Sequence, residues 1–563
     1  MRRHLSGSKV HAKGLRAPIM LAALLSGTCA TAVAGSLPSR YIDLIRHDQF
    51  AEAESAAAAE TAKIESDPRH KPEALCAALE FQARVVSFDI LKPVPARLPV
   101  YERALQCREG LADGTDKDAH IAMLKATLAT LAFSSGNRER ANALAAEAEA
   151  RIKQHRQRLD AVDYANATLG LGNLASYSAD FNRALAWTQE SLDAVSDDGI
   201  VSRMVRVKVL TTQCYRLGRL GRFAEAEIAG KAAVDLAARM FGVPSTYHGN
   251  ALMDLGEVEY FGHHLADAAV TVEQAVDDNR RLGERATGNL ATSLMVFADV
   301  QNDLGDYDRA RSALTEAVAL YHRDSSPNAT GNLASALSNL GMAEAASGHC
   351  AAALEPVREA LQIYRKRYGE DSAELTGPLS VLGNCELETG QIDKAHADYG
   401  QALAISLKTL GEDNPLIAEQ YQQVALVDLA EHDYAAATEH LTHALSRLPK
   451  DTDTLGNQRI AIERNLARSL HAQHDDAGAF AHAAAGESTR QRLLQHFAGA
   501  LDENEAVGAH ETEHSNLDEI LALAAARQDH AWIEHAWQLQ IGSRAQVTRL
   551  VAARLKAARE SAD

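Results

Sequence analysis

At 563 residues the chain is too long to fold around one compact core, so several domains or an array of repeats are expected. Aromatic residues make up only 5% of it, alanine is abundant and long β-branched runs are nearly absent, which favours closely packed helices over sheets. The formal net charge of −19 argues against nucleic acid as the main ligand, because a phosphate backbone is bound by a basic surface.

The N-terminal segment has the three-part layout of a secretory signal peptide, which we place at residues 1–34. Basic residues at positions 2, 3, 9, 13 and 16 precede the apolar stretch PIMLAALLSGTCATAVAG, and Ala32-Val33-Ala34 fits a cleavage site. The apolar run is too short for a comfortable transmembrane span, which favours a cleaved signal peptide. A retained N-terminal membrane anchor is the alternative. We therefore expect an exported protein, periplasmic or secreted, whose mature chain has no membrane span.

The central part of the chain repeats with a period of 42 residues. Alanine recurs at steps of 42 or 43 residues, in the series Ala184, Ala226, Ala268, Ala310, Ala353, Ala395 and Ala437. Twelve residues before each alanine stands a small residue, from Gly172 to Ala425, and three before it stands a mainly aromatic or aliphatic one, from Phe181 to Tyr434. Glycine often lies between these two positions, where a turn favours positive φ. Each unit is therefore predicted to be an antiparallel helix–turn–helix that buries its apolar face by stacking.

We call each series of equivalent positions a column. Together these columns resemble the tetratricopeptide repeat. The stretches LSNLGMAEAASGHCAAALEPVREALQIY (337–364) and LSVLGNCELETGQIDKAHADYGQALAIS (379–406) carry its small–small–aromatic–alanine pattern. The extra residues in RYGEDSAEL and TLGEDNPLIA look like the longer kinesin-light-chain type of repeat. The resemblance implies an all-α fold, a right-handed superhelical solenoid of antiparallel helix pairs.

The predicted domain organisation follows the strength of the repeat. Residues 35–120 are assigned to degenerate helical repeats, with a second helix beginning at Phe50, and residues 121–450 to the main array. Residues 451–508 are assigned to a degenerate capping repeat and residues 509–563 to a C-terminal helical pair.

The C-terminal segment carries a second resemblance. The stretch AWQLQIGSR (536–544) is similar to the helical segment that precedes the caspase-like peptidase domain of CHAT proteins. Only about twenty residues follow Arg544, so we expect that peptidase domain to be absent from this chain.

The stretch HETEH (510–514) matches the H-E-x-x-H pattern, in which two histidines on one helical face hold zinc. Asn516 followed by Glu519 predicts a capping box and a helix that begins near Leu517, which leaves both histidines in a connecting turn. We therefore predict no catalytic residue, no cofactor and no metal site, and the scattered histidines elsewhere are interpreted as surface or helix-end residues.

Five cysteines follow the predicted signal peptide, so at least one thiol is unpaired within the chain. A Cys76–Cys107 disulfide is compatible with the sequence, which by itself does not establish any pairing. Cys214 and Cys350 occupy packing columns of the repeat and are interpreted as core sulfur, not as nucleophiles.

In tetratricopeptide proteins the first helix of each pair lines a concave groove, so the resemblance places candidate binding residues beside the small-residue column. The candidates are Asn173, Tyr215, Glu257, Asp299, Asn302, Asn339 and Asn384. Asparagine can bond both the N–H and the C=O of a bound backbone, and the acidic members favour a neutral or basic partner segment.

The sequence therefore predicts a non-catalytic scaffold for a protein or peptide partner. The alternative is the regulatory or sensor half of a CHAT-type peptidase system. A zinc hydrolase that uses the HETEH stretch is the minor alternative.

Overall fold

The computed structural model describes residues 37–196, 199–324, 329–449, 455–497 and 516–542. All regular elements within these ranges are helices, as the composition predicted. The chain divides into two compact units between Asn339 and Leu340, at a point inside the helix Ala329–Ala346. We call them the N-terminal unit and the C-terminal unit and describe each by itself.

Consecutive helices of the N-terminal unit form pairs that are joined by short turns. The pairs are α1 (Ser39–Arg46) with α2 (Phe50–Ser66), α3 (Pro72–Val86) with α4 (Val94–Glu109), α5 (Thr115–Ser134) with α6 (Arg138–Ile152), α7 (Ala161–Tyr177) with α8 (Phe181–Ala194), α9 (Ile200–Arg219) with α10 (Phe223–Phe241), α11 (Thr246–Phe261) with α12 (Leu265–Leu282), and α13 (Thr287–Leu304) with α14 (Tyr307–Arg323). Helix α15 (Ala329–Ala346) follows and contains the boundary between the units.

The C-terminal unit continues with the same kind of pair. Its helices are α16 (Cys350–Tyr368), α17 (Thr376–Glu388) with α18 (Ile392–Leu410), α19 (Ala418–Ala430) with α20 (Tyr434–Arg447), α21 (Gly456–Ala472) with α22 (Asp476–Phe497), and α23 (Leu517–Arg527), after which residues 530–542 are also helical. The pair α21–α22 is the predicted degenerate repeat. Its Ala479 lies 42 residues after Ala437 and is fully buried, so the alanine column extends into this pair.

The repeat columns lie where the helices of a pair pack. All seven alanines of the predicted series are fully buried. The second helices begin at the seven predicted aromatic or aliphatic positions, from Phe181 to Tyr434. A Cβ atom added at Gly172 would lie 3.1 Å from the carbonyl oxygen of Ala184, so the small column faces the second helix of its own pair. The two backbones approach closely because these positions carry little or no side chain.

Most turns within a pair contain one residue with positive φ. Glycine supplies it at Gly221, Gly305, Gly348 and Gly390, where φ is between 74° and 81°. The equivalent position of other pairs holds Ala179, His263, His432 or His474, with φ between 58° and 64°. The predicted helix-end location of several scattered histidines is thereby confirmed, and the turn geometry persists where glycine is absent because both flanking helices enforce it.

Four of the five cysteines after the predicted signal peptide form disulfides. Cys76 is bonded to Cys107 across α3 and α4, and Cys350 is bonded to Cys385 across α16 and α17, while Cys214 is free and buried. The interpretation of Cys350 as an unbonded core sulfur is therefore wrong. Its position at the start of α16 lies only 5.1 Å from Cys385, measured between Cα atoms, which is close enough for a bond.

Helix α23 begins at Leu517, as predicted. The predicted capping box is wrong, because the Asn516 side chain makes no capping hydrogen bond. It is buried instead, and its Nδ2 donates to the carbonyl oxygen of Ala483 on α22 at 3.4 Å. Within the described ranges, no helix combines the length and the apolar character that a membrane crossing requires.

Candidate functional site

The seven groove candidates all lie on first helices, and their exposure divides them into two groups. Asn173, Tyr215 and Glu257 are buried, with 2%, 8% and 6% of their surface exposed. Asp299, Asn302, Asn339 and Asn384 are half-buried. Only the second group presents a side-chain surface that a partner can reach without a change in the helix packing.

Asn173 is engaged inside the fold by a buried arginine. Arg216 donates from Nη2 to Asn173 Oδ1 at 2.6 Å, from Nε to Ser176 Oγ at 3.0 Å and from Nη1 to the carbonyl oxygen of Ala184 at 3.1 Å. Arg216 is fully buried, and this burial lowers the pKa of its guanidinium to about 9. Asn173 therefore helps to hold a guanidinium between α7, α8 and α9.

The sequence carries a signal for this arrangement. The position of Arg216 in the 42-residue repeat is otherwise apolar, with Leu174, Val258, Val300, Ala343, Cys385 and Val427 in the other copies. A single charged residue in an apolar column indicates a buried polar cluster, because the fold must supply its hydrogen-bond acceptors.

Tyr215 and Glu257 belong to a second buried cluster, which also contains Asp254. Tyr215 lies on α9, and Asp254 and Glu257 lie one turn apart on α11. Asp254 is 6% exposed, and its Oδ1 accepts no hydrogen bond from any described residue. Burial raises the pKa of the Asp254 carboxyl well above its usual range, and the charge of Glu257 adds to the rise. We name these three residues the acidic cluster.

Sequence reasoning missed Asp254, although a signal existed. Asp254 precedes the candidate Asn339 by two repeats, 42 and then 43 residues, so both occupy the same column of the first helices. Inspection of that column in every copy would have identified it.

Three of the half-buried candidates form a continuous polar surface in the N-terminal unit. Asn339 Nδ2 on α15 donates to Asp299 Oδ1 on α13 at 3.2 Å. Asn302 lies one turn after Asp299 on the same helix, and its Oδ1 is buried without a hydrogen-bond partner among the described residues. We name these residues the amide surface; it offers amide donors and acceptors together with one carboxylate.

Asn384 lies in the C-terminal unit on α17, the helix that also carries the buried Glu386. Its Oδ1 accepts a hydrogen bond from the Tyr399 hydroxyl at 2.6 Å, which links α17 to α18. Burial raises the pKa of Glu386 to about 7, with a further contribution from Asp398. Burial alone raises the pKa of Glu419 to about 7.

Residues 87–88, which follow α3, contact later helices of the N-terminal unit. Phe88 is fully buried in a cluster that includes residues of α9, α10 and α11. Its carbonyl oxygen accepts a hydrogen bond from the Tyr247 hydroxyl at 2.7 Å, and the Ser87 carbonyl oxygen accepts one from Lys208 Nζ at 2.9 Å. The beginning of α11 and the adjoining part of α9 are therefore occupied by the chain itself.

The structure provides no metal site within the ranges it describes, where no group of three His, Cys, Asp or Glu side chains is placed to hold an ion. The HETEH stretch (510–514) lies outside those ranges, so the zinc alternative remains a sequence-based hypothesis.

The stacked helix pairs with polar side chains on their first helices define an α-helical repeat protein. The family model of the tetratricopeptide repeat matches residues 289–366 and 375–450, in agreement with the predicted resemblance. These two segments are therefore tetratricopeptide repeats. No curated protein matches the sequence of the chain.

Three solved structures illustrate the similarity. BtubC (BKLC) from P. vanneervenii is 20% identical, with a TM-score of 0.36, over 41% of this chain and 92% of that one. A putative kinesin light chain with TPR-like repeats from Podosopora anserina is 18% identical, with a TM-score of 0.32, over 36% and 96%. Aspartyl phosphate phosphatase F from Bacillus subtilis is 15% identical, with a TM-score of 0.41, over 68% and 96%.

Proposed function

We propose that this protein is an exported, non-catalytic tetratricopeptide repeat scaffold that binds a protein or peptide partner on its first helices. The observation that carries the proposal is the amide surface of Asp299, Asn302 and Asn339. Its amides can donate to and accept from an extended backbone, which holds a segment without reading much of its sequence. The carboxylate favours a neutral or basic segment over an acidic one.

A preformed array suits this role energetically. The repeats are held by buried alanine and glycine contacts, so the scaffold loses little conformational freedom when a partner binds. The cost of ordering falls mainly on the partner. Affinity then depends on a few well-placed side chains, which makes single substitutions on the amide surface informative.

The test of binding is a pull-down from the native compartment with the mature chain as bait. The variants Asn302→Ala and Asn339→Ala each remove one amide side chain of the amide surface. The control is Asn182→Ala, which removes an exposed asparagine from the second helix α8. We expect each surface variant to weaken binding of the recovered partner roughly tenfold, as the loss of one hydrogen bond of about 1–1.5 kcal/mol implies. Undiminished binding by both surface variants, or an equal loss in the control, would contradict the proposal.

Export is proposed from the signal peptide at residues 1–34. The two disulfides support it, because such bonds persist in oxidising compartments and are rare in the cytosol. Intact-mass analysis of protein from the native host is expected to show a chain that begins at Gly35 and lacks four thiol protons. A reduced, uncleaved chain in the cytosolic fraction would refute export, and an uncleaved chain in the membrane fraction would indicate the anchor.

The second candidate function is the regulatory half of a CHAT-type peptidase system. It is favoured by one observation on the segment that carries the resemblance. The helix at residues 530–542 exposes Ile533, Trp537 and Ile541 to 36%, 57% and 61%, at spacings that align them on one face. A caspase-like protein among the recovered partners, lost in a Trp537→Ala variant, would establish this role; recovery of other partners alone would refute it.

A further inference from the structure

We propose that Arg464 and Arg468 on α21 form a subsite for two carboxylate side chains of an acidic peptide segment. The two arginines lie four residues apart on the first helix of the pair α21–α22, so they project from the same helical face. We name them the arginine pair. The proposal goes beyond the proposed function, because it assigns a second binding surface in the C-terminal unit, whereas the amide surface lies in the N-terminal unit.

The arginine pair occupies positions of the repeat that are equivalent to those of earlier first helices. Arg468 follows the groove candidate Asn384 by two steps of 42 residues, and Arg464 follows Gln422 by one such step. Arg464 is half-buried and Arg468 is exposed, whereas residues 465–467 between them are buried. A partner can therefore reach both guanidinium groups without a change in the helix packing.

Neither guanidinium has a polar partner within the described ranges, where Arg464 and Arg468 make no hydrogen bond and no ion pair. Other arginines of the C-terminal unit, among them Arg447 and Arg490, each pair with a carboxylate. Burial, followed by the like charge of Arg468, lowers the pKa of the Arg464 guanidinium. An anion supplied by a ligand would offset both effects, because it favours the charged form of each arginine.

One carboxyl group of the chain itself acts on the arginine pair. Glu519 on α23 attracts Arg464, but it forms no ion pair with either guanidinium. Burial raises the pKa of Glu519, although the charges of the arginine pair and of His471 act in the opposite direction. Glu519 thus leaves the N–H donors of the arginine pair available, and its negative charge opposes an acidic ligand. Removal of that charge should strengthen ligand binding.

The spacing of the arginine pair selects an extended segment with acidic residues at alternate positions. Four residues of an α-helix rise about 6 Å, and alternate side chains of an extended chain point to the same side about 6.6 Å apart. Two carboxylates separated by one residue can therefore each meet one guanidinium. The forked N–H donors of arginine match the two oxygen atoms of a carboxylate, so each contact can be bidentate. This spacing favours two separate carboxylates over one phosphate group, which is smaller than the distance between the two helical turns.

The experiment uses the purified chain and three pools of decapeptides that carry the same uncharged fluorophore. The central residues are Asp-Ala-Asp in the acidic pool, Asn-Ala-Asn in the amide pool and phosphoserine-Ala-Asn in the phosphate pool. The remaining positions are randomised identically among uncharged residues.

Binding is measured by fluorescence anisotropy for the natural chain and for the variants Arg464→Gln, Arg468→Gln and Glu519→Gln. The control Arg358→Gln removes an exposed arginine from the second helix α16 of the same unit.

We expect the natural chain and the control to bind the acidic pool at least about tenfold more tightly than the amide pool. Arg464→Gln and Arg468→Gln should each lose most of this preference, and Glu519→Gln should bind the acidic pool about threefold more tightly than the natural chain does. The melting temperatures of the two arginine variants should be unchanged or higher, because neither arginine makes a hydrogen bond within the described ranges. This readout excludes misfolding as the cause of lost binding.

Equal binding of the acidic and amide pools by the natural chain, or absence of binding to both, overturns the subsite. An equal loss of preference in Arg358→Gln also overturns it, because binding would then follow net charge alone. A preference for the phosphate pool over the acidic pool overturns the assignment to carboxylates and indicates a phosphorylated ligand. The pull-down with the amide-surface variants tests the proposed function separately, so the two can fail independently.

Discussion

Replacement of Gly383 by alanine tests the packing that defines the repeat. Gly383 belongs to the small-residue column and lies on α17 against α18. A Cβ atom at this position would lie 2.6, 2.7 and 2.8 Å from three ring atoms of Tyr399. Tyr399 is fully buried, and its hydroxyl is fixed by the 2.6 Å hydrogen bond to Asn384, so the ring cannot move without loss of that bond.

Two opposing effects set the magnitude. Alanine has a higher helix propensity than glycine by about 1 kcal/mol, which alone would stabilise the variant. Overpacking of a buried contact costs about 1–3 kcal/mol. Gly400 provides a matched control on α18, because a Cβ atom there meets nothing within 4 Å. Since both variants gain the same propensity, the difference between Gly383→Ala and Gly400→Ala isolates the steric cost of about 1–3 kcal/mol.

The assay is urea unfolding followed by far-ultraviolet circular dichroism at 222 nm. Gly400→Ala should shift the midpoint to higher urea, and Gly383→Ala should lie below it by the steric cost. A Gly383→Ala variant that is as stable as Gly400→Ala would refute the reasoning, because the small column would then not be required for close approach of α17 and α18.

Further predictions concern the disulfides, the alanine column and a buried carboxyl. Joint replacement of Cys76 and Cys107 by serine should cost about 3–4 kcal/mol in urea unfolding, from the entropy of a 31-residue loop; an unchanged midpoint would exclude the bond. Ala395→Leu should cost about 1–3 kcal/mol at a fully buried contact, and an unchanged melting temperature would show that the column is misplaced. The pKa of Glu419 is about 7 in the folded chain, against an ordinary value of 4.5. Between these two pH values the folded chain therefore binds a proton at Glu419 that the unfolded chain has released. Its stabilising contribution is complete below about pH 4.5 and is lost as the pH rises to about 7. Glu419→Gln should therefore flatten the decline of stability over that range, and an unaltered slope would contradict the burial of this carboxyl.

The helix pairs could be predicted from the sequence because their determinants are local and periodic. A second helix begins at Phe181 and at every equivalent position because a mainly apolar residue, in most copies half-buried, follows a turn there. The buried alanines and glycines also indicate that the paired helices pack closely, because these residues carry little or no side chain. The same argument located the start of α23 at Leu517, although its proposed cap was wrong because Asn516 packs against a neighbouring helix.

The exposure of the candidate groove could not be predicted, because it depends on contacts between distant parts of the chain. Periodicity places Asn173 on the first helix beside the small column, but only the three-dimensional arrangement shows that Arg216 occupies its carbonyl oxygen. Arg46 donates to the carbonyl oxygen of Met240, 194 residues away, and no repeat pattern encodes such a contact. Long-range contacts of this kind determine which polar residues are buried.

Such long-range contacts also engage polar side chains on the first helices of the N-terminal unit. Lys208 and Tyr247 already donate to backbone carbonyl oxygens of Ser87 and Phe88, which are bonds of the kind that a groove makes with an extended ligand. Further along the first helices, the Oδ1 atoms of Asp254 and Asn302 find no such internal partner among the described residues. The side-chain donors of Lys208 and Tyr247 are therefore already occupied by residues 87–88 of the chain itself.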